Sequence, residues 1–509
     1  MMRDGKVFIK KTCPDCGATE QLVSGNAAAW QRKRDLYRYD PAEDKGCALN
    51  CTDCGHDHHQ TAAFLDVTSR CNLSCPICLA NIPGMHVDFD PPLSYFQKVV
   101  DQLATWNPKP RINLFGGEPT IRKDLFEIIA MIKKHKMKMN LVTNGIALAN
   151  EEFCQRVLDE KVEILFAFDG RDPVIYEQMR GSRRSYDLKL KAIENMQKMT
   201  RRRHTWVCTL AVGLNDQHIP DYFQFVHEHR SIVRRIFFIP LTEMWDAGLY
   251  ETKQMTTPEE VEGILQQSFP KEKLEFIPCG LFDRALPAAR FFNVNSIQFA
   301  GAHPNCEQVA YLISDGERFR PIGEYLKRPV WEVVDDFIAR AEKLNPKLKG
   351  LDPTRWSHRW IGRLKVIMAY RTLATKSIDF KKIFRGNRFL TSLRMFGGLL
   401  IGRKTHNVMR KHSRLHESLA VVILPFEEWD SVESGRMRRC TSVFVYLDPK
   451  TEKVERVPFC MWCHYRKDTF KQIGEKWPPE KSVRAQIKLP TLQGCEACAA
   501  GQDGINHNA

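Results

Sequence analysis

Six short apolar or β-branched runs recur along the first half of the chain: AAFLDVT (62–68), RINLF (111–115), MNLVT (139–143), EILFAF (163–168), TWVCTLAV (205–212) and RIFFIPL (235–241). Charge-dotted segments of helical character separate them. Short apolar runs between helical segments predict strands joined by helices, and repeated strand–helix–strand units build a parallel sheet with right-handed crossovers. The pattern leaves open whether the sheet closes or stays an open crescent. Unusual residues follow the runs: Cys71, Cys75 and Cys78, then Gly116, Gly117, Glu118 and Pro119, then Asn144 and Gly145, then Asp169 and Gly170, then Gly213 to Asp216. In (β/α) barrels the carboxyl ends of the strands carry the site, so these motifs point to one shared pocket.

The first motif, DVTSRCNLSCPIC at 66–78, is a C-x3-C-x2-C array directly after a strand-like run. A second array of the same spacing, Cys47, Cys51 and Cys54, lies upstream after no clear strand. No amino-terminal apolar segment follows Met1, which predicts a chain kept in the cytosol. In that reducing compartment 17 cysteines, mostly in pairs and triplets, read as metal ligands and not as disulfides. Taken alone, either array fits zinc, a structural cluster or a reactive cluster.

The array after the first strand, with GGEP after the second and TNG after the third, resembles the radical S-adenosylmethionine superfamily over roughly residues 61–245. The resemblance implies a partial (β/α)6 TIM-like barrel in an α/β fold. It also implies a [4Fe–4S] cluster held by Cys71, Cys75 and Cys78, whose fourth iron is left for S-adenosylmethionine. Gly116 and Gly117 would let the backbone approach the methionyl amine, with Glu118 accepting from it. Pro119, Thr143, Asn144, Asp169 and Arg180 complete the implied cofactor-binding set. Cys47, Cys51 and Cys54 would then form an auxiliary iron–sulfur site, completed by a histidine at 56–59 or a distant cysteine, with zinc as the alternative.

The longer stretches GCALNCTDCGHDHH, LDVTSRCNLSCPICLANIPG, INLFGGEPTIRKDL, AFDGRDPVIYEQMRG and GLNDQHIPDYFQFV are similar to the radical enzymes related to archaeal tetraether lipid synthases, over most of residues 45–465. That family usually carries a further thiol and histidine motif after the CPDCG at 13–17, and LVSGNAAAWQRKRDLYRYD has neither. Two thiol knuckles, Cys13 with Cys16 and Cys495 with Cys498, supply four thiolates that suit a closed Zn²⁺ or mononuclear iron site. The family resemblance makes Cys279, Cys306, Cys440 and Cys460 candidate ligands of another auxiliary [4Fe–4S] cluster, with Cys463 paired to Cys460 in CMWC. Cys154 and Cys208 stand in apolar contexts and read as core residues.

Between Arg363 and Arg414 stand fourteen basic residues opposed by Asp379 alone, which accounts for most of the formal charge of +15. Phe380, Ile383, Phe384, Phe389, Leu390, Leu393, Met395 and Phe396 interleave with them and offer an apolar face. Each base near an anionic membrane contributes about 1 kcal/mol, so the segment predicts peripheral attachment to the inner face of the cell membrane. Nucleic acid is the disfavoured partner, because no RNA-binding motif is present and large aliphatic residues suit an acyl interface.

The expected organisation is a Cys-rich metal-binding region (1–60), a radical S-adenosylmethionine barrel (61–270), an auxiliary-cluster region (271–350), a basic amphipathic lipid-associating region (351–425) and a Cys-rich carboxyl-terminal region (426–509). The expected activity is hydrogen abstraction from lipid alkyl or acyl chains, joining two chain termini by a carbon–carbon bond, with a low-potential electron donor as partner. A radical methylase or RNA-modifying enzyme is the alternative, and a cluster-bearing electron carrier the non-enzymatic one.

Overall fold

The computed structural model describes residues 1–15, 17–40, 60–245, 250–252, 255–384, 386, 388–403, 408 and 411–478. Strands β1 (Met2–Arg3), β2 (Lys6–Cys13) and β3 (Gly17–Ser24) form an antiparallel amino-terminal sheet. The helix Ala27–Tyr37 follows, capped by the Asn26 side chain, which accepts from Ala29 N. Lys33 of that helix is buried against Glu259 and Glu262 at 2.8 and 2.5 Å. This ion pair ties the amino-terminal unit to the main body.

All six apolar runs are strands: β4 (Ala62–Thr68), β5 (Arg111–Gly116), β6 (Met139–Thr143), β7 (Glu163–Ala167), β8 (His204–Leu210) and β9 (Val233–Pro240). They pair in parallel in sequence order, as strands joined by helical crossovers must. The crossover helix Leu93–Leu103 buries Tyr95, Phe96, Val99, Val100 and Leu103, and the helix Leu125–Lys134 buries Leu125, Ile128, Ile129 and Ile132. These positions fall on one helical face. Each such burial contributes about 1.5–3 kcal/mol, which fixes the helices against the sheet.

The parallel run extends beyond the six. Five further strands are β10 (Ile277–Pro278), β11 (Gln308–Ser314), β12 (Phe319–Pro321), β13 (Ser418–Ile423) and β14 (Ser442–Leu447), followed by β15 (Val454–Pro458). Strand β13 lies parallel to β9 and β14 parallel to β4, while β11 and β15 add antiparallel margins to β13 and β14. The sheet is open, because its two outer parallel strands pair with these margins and not with one another. Divisions of the sequence at 270 and 425 fall between strands of this one sheet.

The basic segment forms the helices Trp356–Ser377, Phe380–Ile383 and Arg388–Leu400. Its expected apolar face is corrected here. Ile383, Phe384 and Met395 are buried with Tyr325, Val408 and Leu415, and Phe380 packs against them. These side chains are used up by a small core. Leu390 and Leu393 are exposed, while the side chains of Phe389 and Phe396 lie outside the described residues. Arg363 is likewise buried and donates to the carbonyls of Phe291 and Leu400. Among the described residues no helix is long and apolar enough to cross a membrane.

Candidate functional site

Where β4 ends, the chain leaves the sheet in a loop whose two feet are stapled together. Ser69 Oγ donates to Val87 O and accepts from Phe89 N, at 2.7 and 2.8 Å. Arg70 pairs with buried Asp90, and the fully buried Arg122 donates to Val67 O and Pro91 O, held in turn by Asp124. Cys71, Cys75 and Cys78 stand between these feet, each half-buried. Burial pushes the Cys71 thiol well up, with the Glu118 charge adding to it and Cys75 and Cys78 near enough to contribute.

The GGEP motif passes directly beneath this loop. A Cβ on Gly116 would lie 2.3 Å from Thr68 O, and one on Gly117 would lie 2.0 Å from Arg70 O. The close approach lets Gly117 N and Glu118 N donate to those same two carbonyls at 2.8 Å. These glycines therefore bring the backbone against the cysteine loop.

Glu118 is almost fully buried, and its carboxylate is engaged internally. One oxygen accepts from Thr120 N, Thr120 Oγ1 and Thr143 Oγ1, and the other from Asn144 N at 2.7 Å. Burial raises its pKa against the pull of these bonds. Besides the acceptance of a ligand amine expected from it, the Glu118 side chain clamps the loop after β5 to the loop after β6. Pro119 opens the buried turn that supplies Thr120. Asn144 then reaches back over the loop, donating to Asn72 Oδ1 at 2.7 Å with Cys71 Sγ at 4.0 Å.

On the far side, Arg180 donates to both oxygens of Asp169 at 2.8 and 2.7 Å and also hydrogen-bonds Cys75. Burial raises the Cys75 thiol while the Arg180 charge draws it back down. Asp169 is further fixed by Thr209 N, and Asn215 braces the backbone carbonyls of Asp169 and Thr209. Gly181, at φ +66°, lets the chain after Arg180 pass where a Cβ would come 2.8 Å from Ser74 O. The fully buried Lys189 donates to the carbonyls of Asn144 and Ala167 at 2.6 Å. Burial, and then Arg180, lower it to about 8. Thus Cys71, Cys75, Cys78, Gly116, Gly117, Glu118, Thr143, Asn144, Asp169 and Arg180 are all brought to one end of the sheet.

A sequence reading misses Lys189, Asn72 and Thr120. Lys189 does leave a signal. The helix Ser185–Met199 buries Leu188, Ala192, Ile193 and Met196, and Lys189 and Asn195 stand on that same face. A lysine on an apolar face needs a buried partner.

A second group of thiols forms lower in the sequence. Cys306, Cys440 and Cys460 are each raised by burial first, and neighbouring thiol charges raise Cys306 and Cys460 further. Arg436 sits among them, 3.7 Å from Cys306 Sγ and 3.1 Å from Glu427. Cys279 is set apart in an apolar cluster with Ile277, Phe299 and Val309. The CMWC pair is also split: the charges acting on Cys460 are those of Glu427, Arg436 and Cys440, whereas those acting on Cys463 are Arg466, Asp66 and Cys78. Cys154 and Cys208 are buried in the core. Cys13 ends β2, while Cys16, Cys47, Cys51, Cys54, Cys495, Cys498 and the histidines at 56–59 lie outside the described residues.

Among the described residues no group of three or more His, Cys, Asp or Glu side chains is arranged to hold a single metal ion. The first loop suits a larger group. Three soft sulfur donors on a stapled loop, beside two buried cations, match a thiolate-bound cluster and leave one of four irons without a protein ligand.

The family model of the Radical SAM superfamily matches residues 65–226. The chain is 32% identical over 250 residues to the 7,8-dihydro-6-hydroxymethylpterin dimethyltransferase of Methanocaldococcus jannaschii, a match covering 47% of this chain and 49% of that one. It is 27% identical over 308 residues to the mitochondrial GTP 3',8-cyclase of Arabidopsis thaliana, covering 59% and 71%. Among solved structures it is similar to Streptococcus suis SuiB bound to S-adenosylmethionine, at 14% identity and a TM-score of 0.35, covering 42% and 47%. The chain spans about half the length of the first of these relatives. Residues 65–226 are thus a radical SAM domain, the class of domain that works with a [4Fe–4S] cluster and S-adenosylmethionine. The two curated relatives are named for a pterin and for GTP, and neither for a lipid.

Proposed function

We propose that the protein joins the termini of two long lipid alkyl or acyl chains through a carbon–carbon bond. Cys71, Cys75 and Cys78 would hold the cluster, with Arg180 and Lys189 balancing its charge and Asn144 ordering the loop beside it. When bound, the cluster and S-adenosylmethionine supply a 5′-deoxyadenosyl radical able to remove hydrogen from an unactivated carbon. For each bond formed, two C–H bonds break, two 5′-deoxyadenosines carry away the hydrogens, and a low-potential donor supplies two electrons to cleave two S-adenosylmethionines.

One observation carries the lipid part. Along the helix Trp356–Ser377, Ile361, Leu364 and Met368 are exposed at 46%, 49% and 57%, and exposed Lys365 and Arg371 lie beside them on the same face. An apolar stripe edged by bases suits the boundary between headgroups and acyl chains of an anionic membrane. A second reading, methyl transfer to a heteroaromatic substrate, is favoured by the pterin dimethyltransferase relative.

Anaerobically reconstituted protein, S-adenosylmethionine and reductant should be incubated with diether phospholipid vesicles or with a hydroxymethylpterin, and the products weighed by mass spectrometry. The lipid reading predicts a coupled lipid lighter by two hydrogens, with two 5′-deoxyadenosines per bond. A methylated pterin beside unchanged lipid would establish the second reading instead.

A further inference from the structure

Lys189 is a buried ammonium whose partners are all neutral. It is 0% exposed on the apolar face of the helix Ser185–Met199. Its Nζ donates to the carbonyls of Asn144 and Ala167, both at 2.6 Å, and stands over the rings of Phe166 and Tyr176 at 5.6 and 5.7 Å. Among the described residues it forms no ion pair. Carbonyl dipoles and ring faces reduce the cost of burying the charge, but they do not cancel it.

The two carboxylates whose charges reach it, Asp169 and Glu118, are engaged elsewhere. Asp169 holds Arg180 through both oxygens, and Glu118 accepts four hydrogen bonds from neutral donors. The charge of Lys189 acts in turn on the middle thiol of the cysteine loop: burial raises Cys75, and Arg180 and Lys189 draw it down. Its two carbonyl partners lie at the ends of β6 and β7, so the ammonium is a fixed charge near the thiols and bonded to none of them.

We propose that Lys189 sets the reduction potential of the cluster held by Cys71, Cys75 and Cys78, acting through its charge and not through contact. The inference rests on the assignment of the cluster to these three thiolates and is independent of the substrate. One electron leaves the low-potential donor, which is oxidised, and enters the cluster, which gains one negative charge. Net charge is among the quantities that set the potential of such a group. A fixed cation in a low-dielectric site favours the more negative state, so Lys189 raises the potential and draws the electron to this site. Arg180 contributes less, because Asp169 offsets its charge at 2.7 Å.

Potentiometric titration of the full, anaerobically reconstituted chain, followed by electron paramagnetic resonance, reads this without an activity assay. The signal to follow is the one absent from Cys75→Ala. Lys189→Met should lower its midpoint potential by at least tenfold in the reduction equilibrium, about 59 mV for one electron, with iron content near wild type. Lys189→Gln, neutral yet still a donor to carbonyls, should lower it equally. Lys189→Arg, which keeps the charge, and Lys198→Gln, on an exposed site of the same helix, should stay within that margin of wild type. A wild-type potential in both neutral variants would overturn the proposal. A fall in Lys189→Arg as large as in Lys189→Met would overturn it too. Iron lost from Lys189→Met and restored by Lys189→Gln at the wild-type potential would make Lys189 a structural staple, with the same consequence. A reduced signal undiminished in Cys75→Ala would remove the cluster assignment itself, a failure separate from these.

Discussion

Arg180 grips Asp169 through two parallel N–H···O bonds and, from the same guanidinium, reaches Cys75. The strand end carrying Asp169 is thereby linked to the middle thiol of the cysteine loop. Removing one partner of such a pair leaves the other charge buried, at a cost of about 3–5 kcal/mol. Asp169→Asn should therefore lower the melting temperature and reduce the iron retained after reconstitution. Arg180→Lys, which keeps the charge and loses the fork, should fold better than Asp169→Asn yet still lose iron. Full iron content in both variants would show that the link does not position Cys75.

Gly117→Ala tests the close passage of GGEP under the loop. The added methyl would meet Arg70 O at 2.0 Å, a backbone atom that yields only if the cysteine loop moves. Iron bound by the reconstituted variant should drop sharply while far-UV circular dichroism stays near wild type. Gly263→Ala is the control, since nothing lies within 4 Å of its added carbon. In the helix Pro258–Gln267 it should stabilise by about 0.5–1 kcal/mol.

His204 gives the fold a predicted acid sensitivity. It is buried at the start of β8, accepts from Ile164 N, and burial lowers its pKa to about 4. The unfolded chain takes up this proton near pH 6.5 and the folded chain does not, so stability is full above that pH and falls as pH drops towards 4. The expected loss is of order 3 kcal/mol. Denaturant titrations at pH 7 and pH 5 should show the decline, and His204→Gln should make it shallower. An unchanged slope in the variant would assign the sensitivity to other groups.

The strand positions were readable because each of the six runs is buried on both faces, the pattern of parallel strands covered by helices. The margins were less so: β13 and β14 lie far along the chain from β9 and β4, and such pairing leaves no local signature. Cys71, Cys75 and Cys78 were legible because their spacing is itself the motif. The clamp made by Glu118 was not, since its partners Thr120, Thr143 and Asn144 become visible only when two strand ends meet. The apolar residues around Phe380 looked outward in sequence, and Tyr325, Val408 and Leu415 turned them inward.

The proposed membrane docking would have two separable contributions. Replacing Lys365, Arg371 and Lys376 with Gln should weaken binding to anionic liposomes about a hundredfold at low salt, at about 1 kcal/mol per base. The effect should fade as salt shortens the Debye length below about 8 Å. Replacing Ile361, Leu364 and Met368 with Ser should weaken binding at every salt concentration. Cosedimentation across a salt series distinguishes the two, and wild-type protein that ignores anionic liposomes would remove the lipid reading's main support.

The central claim is that Cys71, Cys75 and Cys78 carry the reactive cluster, while Cys306, Cys440 and Cys460 form a separate group. The direct measurement is 5′-deoxyadenosine formed from S-adenosylmethionine by reduced, reconstituted wild type, Cys75→Ala and Cys460→Ala. The account predicts formation by wild type, none above background by Cys75→Ala, and retained formation by Cys460→Ala. Formation by Cys75→Ala at the wild-type rate, or its loss in Cys460→Ala alone, would contradict it.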